Sequence, residues 1–174
     1  MRRSYRLSCL LPLILPVVGC AADGSSASDT AYSVLTGDLG ELGELNPIVS
    51  GQVIEYSGET ITYLSTVDLA CDAMVESRWL GALDPDAQVI EIVFKSDTAG
   101  TDLEVGGTGS LEVNYASGGR SSAYEVGAAS GTVSLTDHTA GGPIVGYVDA
   151  TYTHPSGFVA GPFEAEFCPG GQQY

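Results

Sequence analysis

Apolar and polar side chains alternate in short bursts through the last third of the chain. In Gly146-Tyr-Val-Asp-Ala-Thr-Tyr152 and Gly161-Pro-Phe-Glu-Ala-Glu-Phe167 one phrase occurs twice, fifteen residues apart: glycine, any residue, apolar, acid, alanine, any residue, aromatic. Weaker copies stand at Gly109-Ser-Leu-Glu-Val-Asn-Tyr115 and Gly131-Thr-Val-Ser-Leu-Thr136. Successive side chains of an extended chain point to opposite faces, so Val148, Ala150 and Tyr152 share one face, as do Phe163, Ala165 and Phe167. Asp149, Glu164 and Glu166 take the other face, the arrangement of an antiparallel sheet with one side buried. Thr153-His-Pro-Ser-Gly157 supplies proline and glycine between the two copies and predicts a hairpin with a five-residue loop. The opening glycine of each phrase predicts a bulge or a sharp entry into the strand.

The same criteria predict strands at Tyr32 to Thr36, Ile48 to Tyr56, Thr60 to Val67, Gln88 to Lys95, Ser110 to Tyr115, Ser122 to Val126, Thr132 to Thr136, Pro143 to Thr153 and Phe158 to Phe167. Turns at Ser57-Gly58-Glu59 and Ser117-Gly-Gly-Arg120 punctuate them. Strands at this spacing, without βα alternation, predict a mainly β domain, an antiparallel sandwich or barrel-like meander. One segment departs from the two-residue period. Cys71, Met74, Val75 and Trp79 follow helical spacing, which predicts a short helix over 68–80 with Asp68 as N-cap, Gly81 as stop and Cys71 on the buried face. Trp79 is expected beneath that helix in the core.

The amino-terminal segment has a different pattern. Arg2, Arg3 and Arg6 precede an apolar run, Leu7 to Val18, broken by Pro12 and Pro16 and too short to span a bilayer as a permanent helix. This predicts a signal peptide over 1–19. Its end, Val17-Val18-Gly19-Cys20, resembles the lipobox of bacterial lipoproteins. The resemblance implies cleavage before Cys20, whose thiol then carries diacylglycerol and an N-acyl chain. Residues 20–30 are small and polar and read as a flexible tether. A single β domain is expected over 31–170, with a tail at 171–174. Ala21 rather than aspartate after the cysteine implies, by the same resemblance, export to the outer membrane, the domain facing periplasm or cell surface. Acyl chains at about 0.8 kcal/mol per buried methylene make the membrane the expected partner.

Charge and cysteines sharpen this picture. After cleavage only Arg78, Lys95 and Arg120 stand against twenty-two acids, and three minus twenty-two is a formal charge of −19. Such a field repels nucleic acid and anionic headgroups, so no nucleic-acid partner is expected. With Cys9 in the signal and Cys20 lipidated, Cys71 and Cys168 remain, and an exported chain predicts a disulfide between them. The arrangement of lipobox, early strands, a cysteine-bearing helix, glycine-led strands and a closing Gly161-Pro-Phe-Glu-Ala-Glu-Phe-Cys168 resembles uncharacterised lipoproteins of Gram-negative bacteria of the myxobacterial kind. That resemblance brings no activity with it.

No catalytic pattern is legible. There is no Gly-x-Ser-x-Gly elbow, Gly106-Gly-Thr-Gly-Ser110 leads into a strand rather than a phosphate-binding helix, and His138 and His154 stand isolated in turn-like contexts. The expectation is a non-enzymatic envelope protein with a structural or binding role. Two other readings stay open. Strand count and Tyr56, Tyr63, Tyr115 and Tyr152 suit a small-ligand carrier with a barrel cavity, and acids from different strands could pair as in a glycoside hydrolase. Calcium is the one cofactor with candidate ligands: Asp84 and Asp86 in an Asp-Pro-Asp turn, with Asp97 and Asp102 around the next strand.

Overall fold

The computed structural model describes residues 34–71, 87–97, 102–106, 111–117 and 124–170, all within one compact unit, Ala31–Tyr174. The unit is mainly β. Its strands are β1 (Thr36–Asp38), β2 (Ser50–Tyr56), β3 (Glu59–Ser65), β4 (Gln88–Lys95), β5 (Asp102–Glu104), β6 (Glu112–Ser117), β7 (Tyr124–Gly127), β8 (Ser130–His138), β9 (Ile144–Thr153) and β10 (Ser156–Phe167). They form a curled half-barrel sheet in the order β5-β8-β9-β10-β2-β3-β4-β6-β7, with β1 on β10. All strand pairs are antiparallel except β10 with β2, which meet over Glu166–Phe167 and Gln52–Val53.

β10 is the hinge of this arrangement. Its first part holds β1 through Phe158, Val159 and Ala160, and its last two residues hold β2. Two wings therefore leave it, β5-β8-β9-β10-β1 on one side and β2-β3-β4-β6-β7 on the other. Their inner faces meet in one apolar cluster that includes Leu64, Ile90, Ile92, Phe94 and Tyr115 from the second wing, and Val133, Val148, Tyr152 and Phe163 from the first.

The wings differ on their outer faces, and the sequence explains why. β9 alternates strictly between buried and exposed, as Val148, Ala150 and Tyr152 enter the core while Asp149 and Thr151 face out. β3 and β4 do not alternate, because both faces are covered. On their outer side Ile54, Ile61, Tyr63, Val89 and Val93 pack with Leu69, Cys168 and Cys71 in a second cluster. Apolar side chains at consecutive positions, as in Val89-Ile90 and Ile92-Val93-Phe94, are what a strand buried on both sides requires.

Several expectations change in detail. The hairpin over 153–157 has a two-residue turn, because pairing continues to Thr153 and Ser156 around a cis His154–Pro155 peptide. Within this ladder Gly157 packs directly on the Asp38–Leu39 backbone, leaving no room for a side chain. Gly146 and Gly161 lie inside their strands and Gly131 is the second residue of β8, while Gly109 lies outside the described residues; opposite Gly146 the β8-β9 register shifts between Leu135 and Asp137, as the expected bulge requires. Gly161, with φ of 143°, sits where a Cβ would collide with the Val34 carbonyl oxygen, so it lets the Val34–Leu35 backbone cover β10. The first strand lies later than expected, at Thr36–Asp38, and β5 has no counterpart in the sequence reading, since three residues are too few for a period to register.

The expected helix over 68–80 falls outside the described residues beyond Cys71. Cys71 is the first helical residue and Asp68–Ala70 is irregular, which leaves Asp68 too far upstream to be an N-cap. The reason is local: the Leu69 amide donates to Ser50 Oγ at 3.1 Å, and its side chain is buried against the outer face of the second wing.

The core carries a polar anomaly. Tyr152 is fully buried, yet its hydroxyl finds no hydrogen-bond partner among the described residues. Burial pushes its phenol well above the ordinary value of about 10, and the nearby Tyr115 phenol adds to the shift. An unpaired buried hydroxyl costs about 1–3 kcal/mol. Tyr152→Phe is therefore expected to raise stability by about 1 kcal/mol at neutral pH. The same residue gives an alkaline limb. Because its folded pKa lies above the unfolded one, it adds no pH dependence below about pH 10, and stability then falls as pH rises further, with a slope of up to about 1.4 kcal/mol per pH unit. Urea titrations at neutral and alkaline pH check both statements; a Phe variant that is less stable at neutral pH would show that the hydroxyl is bonded in solution.

Candidate functional site

The outer face of the first wing is uncovered among the described residues, and its register fixes what lies beside what. Directly paired residues project to the same side of a sheet. One row across the strands reads Glu104, Thr132, Asp149, Ala160, Thr36; the next reads Asp102, Ser134, Tyr147, Pro162; a third reads Ser130, Thr151, Phe158, Asp38. Tyr147 is 48% exposed and Phe158 46%. They lie four residue pairs apart along the β9-β10 ladder, about 13 Å at the usual rise per residue, with Asp149 and Ala160 between them.

At the margin of this face the chain forms a groove. After β1 a tight 3-10 turn, Gly40–Leu42, reverses the chain, and Glu44 and Leu45 return along β1, the Leu45 amide donating to the Gly37 carbonyl at 2.9 Å. Asp38 supports the turn by accepting from the Gly40 amide at 2.9 Å. The returning segment is pinned to the other wing by Gln88. That buried amide accepts from the Asn46 amide at 2.8 Å and donates to the Glu44 carbonyl at 3.2 Å and to Tyr115 Oη at 3.4 Å. Between this wall and the β1 segment lies a cleft of about 580 Å³ whose lining includes Val34, Pro47, Ile48 and, from β10, Phe158, with Asp38 and Glu44 among them. Val34, at the groove's entrance, is 67% exposed.

The positions singled out in the sequence fall in several places. Cys71 and Cys168 are bonded, with Cα atoms 5.4 Å apart, and Cys168 is buried. Cys20, Trp79, Asp84 and Asp86 lie outside the described residues. Asp97 is exposed in the turn after β4, whereas Asp102 is not a loop residue: it opens β5 and accepts from Ser134 Oγ at 2.6 Å. Asp97 and Asp102 thus belong to different wings, and among the described residues no three His, Cys, Asp or Glu side chains are grouped to hold a metal ion. His138 is at the end of β8, its ring edge-on to Phe94 at 5.1 Å; His154 is exposed in the β9-β10 turn. Tyr63, Tyr115 and Tyr152 are core residues, and Tyr56 is exposed at the end of β2.

The groove itself was not readable in advance. Alternation alone assigns Tyr147 and Phe158 to the outer face, since their neighbours Val148 and Val159 point inward. Nothing local, however, places the Glu44–Ile48 segment beside Phe158, because that contact depends on Gln88 in another strand. No known protein family, curated protein or solved structure matches the chain.

Proposed function

We propose that this chain is a lipid-anchored protein of the cell envelope whose β domain is non-catalytic and works by holding a partner on the outer face of its first wing. The observation that carries the reading is the contrast between the two sides of that wing. Its inner side is closed by large apolar side chains, Tyr152 and Phe163 among them, so a guest between the wings would have to displace the core. Its outer side keeps Tyr147 and Phe158 in water, and Phe158 lines a groove of about 580 Å³ together with the exposed Val34. Contiguous apolar surface left in water marks interaction sites, and Val34 and Phe158 form such a patch where they line the groove together. A small-ligand carrier would need the interior volume instead.

The anchoring half rests on the charged head, short apolar run and Val17-Val18-Gly19-Cys20 ending. Its test is fractionation and intact-mass measurement of the protein made in a Gram-negative host. The native product is expected in the membrane fraction, beginning at Cys20 and heavier than the polypeptide by diacylglycerol and one acyl chain. Cys20→Ser is expected to abolish both the added mass and the membrane association. A native product without added lipid mass would refute the anchor.

A further inference from the structure

We infer that the groove between Val34, Ile48 and Phe158, with the adjoining outer face of β9 and β10, is a docking surface for an extended, cationic polypeptide segment. The inference rests on the binding role proposed above and names the partner's chemistry.

The first argument is apolar. Of the five large hydrophobic side chains that stand exposed among the described residues, Tyr147 and Phe158 are on this face and Val34 lines the groove beside Phe158. A partner that only carried charge would leave them wet; one with apolar side chains removes them from water, at about 25 cal/mol per Å² of apolar surface covered. The second argument is charge. Asp38, Glu44, Asp102, Glu104 and Asp149 are all exposed on or beside the same face. Among the described residues no cation accompanies them, and Lys95 stands in the other wing, opposite Glu59 on β3. Nucleic acid and anionic headgroups are repelled by such a surface, whereas lysine and arginine are drawn to it.

The third argument is shape. Neighbouring outward positions along a strand are about 7 Å apart, the spacing at which an extended peptide presents alternate side chains. Apolar residues at every second position can therefore enter the groove and lie over Pro162 and Ala160, while cations on the remaining positions reach Asp38, Glu44 or Asp149 at its borders. The half-exposed rings of Phe158 and Tyr147 favour the same ions, which are attracted to aromatic rings within about 6 Å. Gln88 holds the outer wall in place, so the groove exists before the partner arrives and ordering costs are small.

The test uses the purified full chain in micelles of a neutral detergent, with short fluorescent peptides of alternating lysine and valine as probe. Binding is expected for this peptide, weaker by about tenfold for a lysine–serine peptide, and absent for a glutamate–valine peptide. Affinity should fall as salt rises from ~50 to ~500 mM. Phe158→Ser and Val34→Ser, both at exposed positions, are expected to weaken binding about fivefold or more. Glu44→Gln and Asp149→Asn should do so to a similar degree, with melting temperatures unchanged. Asp97→Asn and Glu112→Gln remove the same charge in the other wing and should have no effect. The inference is overturned if these two act as strongly as the groove variants, if the groove variants bind normally, or if a polyamine or a neutral oligosaccharide binds in place of the peptide. Loss of peptide binding with acylation of Cys20 intact would refute this assignment alone, and an unlipidated product that still binds would refute only the anchor.

Discussion

Breaking the Cys71–Cys168 bridge is expected to lower stability by about 4 kcal/mol, read as a Cys71→Ser, Cys168→Ala double variant against the oxidised protein in urea. The bond joins positions 97 residues apart, so it closes a loop that contains most of the sheet, and the entropy it removes from the unfolded chain is correspondingly large. Its local effect is separable. The Cys168 amide donates to the Val53 carbonyl at 2.7 Å, which keeps the end of β10 on β2 whether or not the sulfurs are joined. Among the described residues Leu69 and Cys71 have no such ladder bond; Leu69 is held by Ser50 Oγ and by its burial on the outer cluster. Hydrogen exchange should therefore accelerate strongly at Leu69 in the double variant, while Cys168 stays protected to the limit set by global unfolding. A loss below about 1 kcal/mol, or equal acceleration at both amides, would show that the bridge is not what fastens this cover.

How far the chain could be read in advance follows from the range of each signal. β9 and β10 were legible residue by residue, because one open face imposes alternation and each acid in the phrase marks the wet side. β3 and β4 were legible as strands but not as doubly covered ones: Ile61, Tyr63, Val89 and Val93 face a cluster completed by Leu69, Cys71 and Cys168, from elsewhere in the chain. The disulfide followed from counting cysteines, and the structure adds what it does, which is to bind that cover to the sheet. The candidate surface was half legible. Tyr147 and Phe158 fall on the outer face by period alone, whereas the groove depends on Gln88 reaching Glu44 and Asn46, more than forty residues away. The strand that carries Asp102 was not legible because three residues hold no period, and its pairing with Ser134 is a tertiary contact.

The repeated phrase also has a physical cause, and it leads to the second large expected effect. Phe163, third residue of the later copy, pairs with Gly146, first residue of the earlier one, and is buried. A Cβ on Gly146 would meet Phe163 Cζ at 2.9 Å and the Ser134 carbonyl oxygen at 2.7 Å, so the ring occupies the space a side chain would take. Phe163→Ala should cost about 3–5 kcal/mol, the usual range for emptying a buried aromatic site. Gly146→Ala should cost about 1–3 kcal/mol by forcing the ring aside. The double variant should cost less than the sum by about 1 kcal/mol, since the new methyl then fills part of the space the ring has left. Recovery is incomplete because the Ser134 oxygen cannot move without disturbing the β8-β9 ladder. Four denaturation curves decide the matter, and additivity within about 0.4 kcal/mol would show that ring and glycine do not share a site. If the coupling is found, the phrase's first and third positions are linked by packing: the gap left by Gly146 of one copy receives the third residue, Phe163, of the other. The repeat then explains how the first wing closes its inner side, and leaves the outer face free to meet a partner.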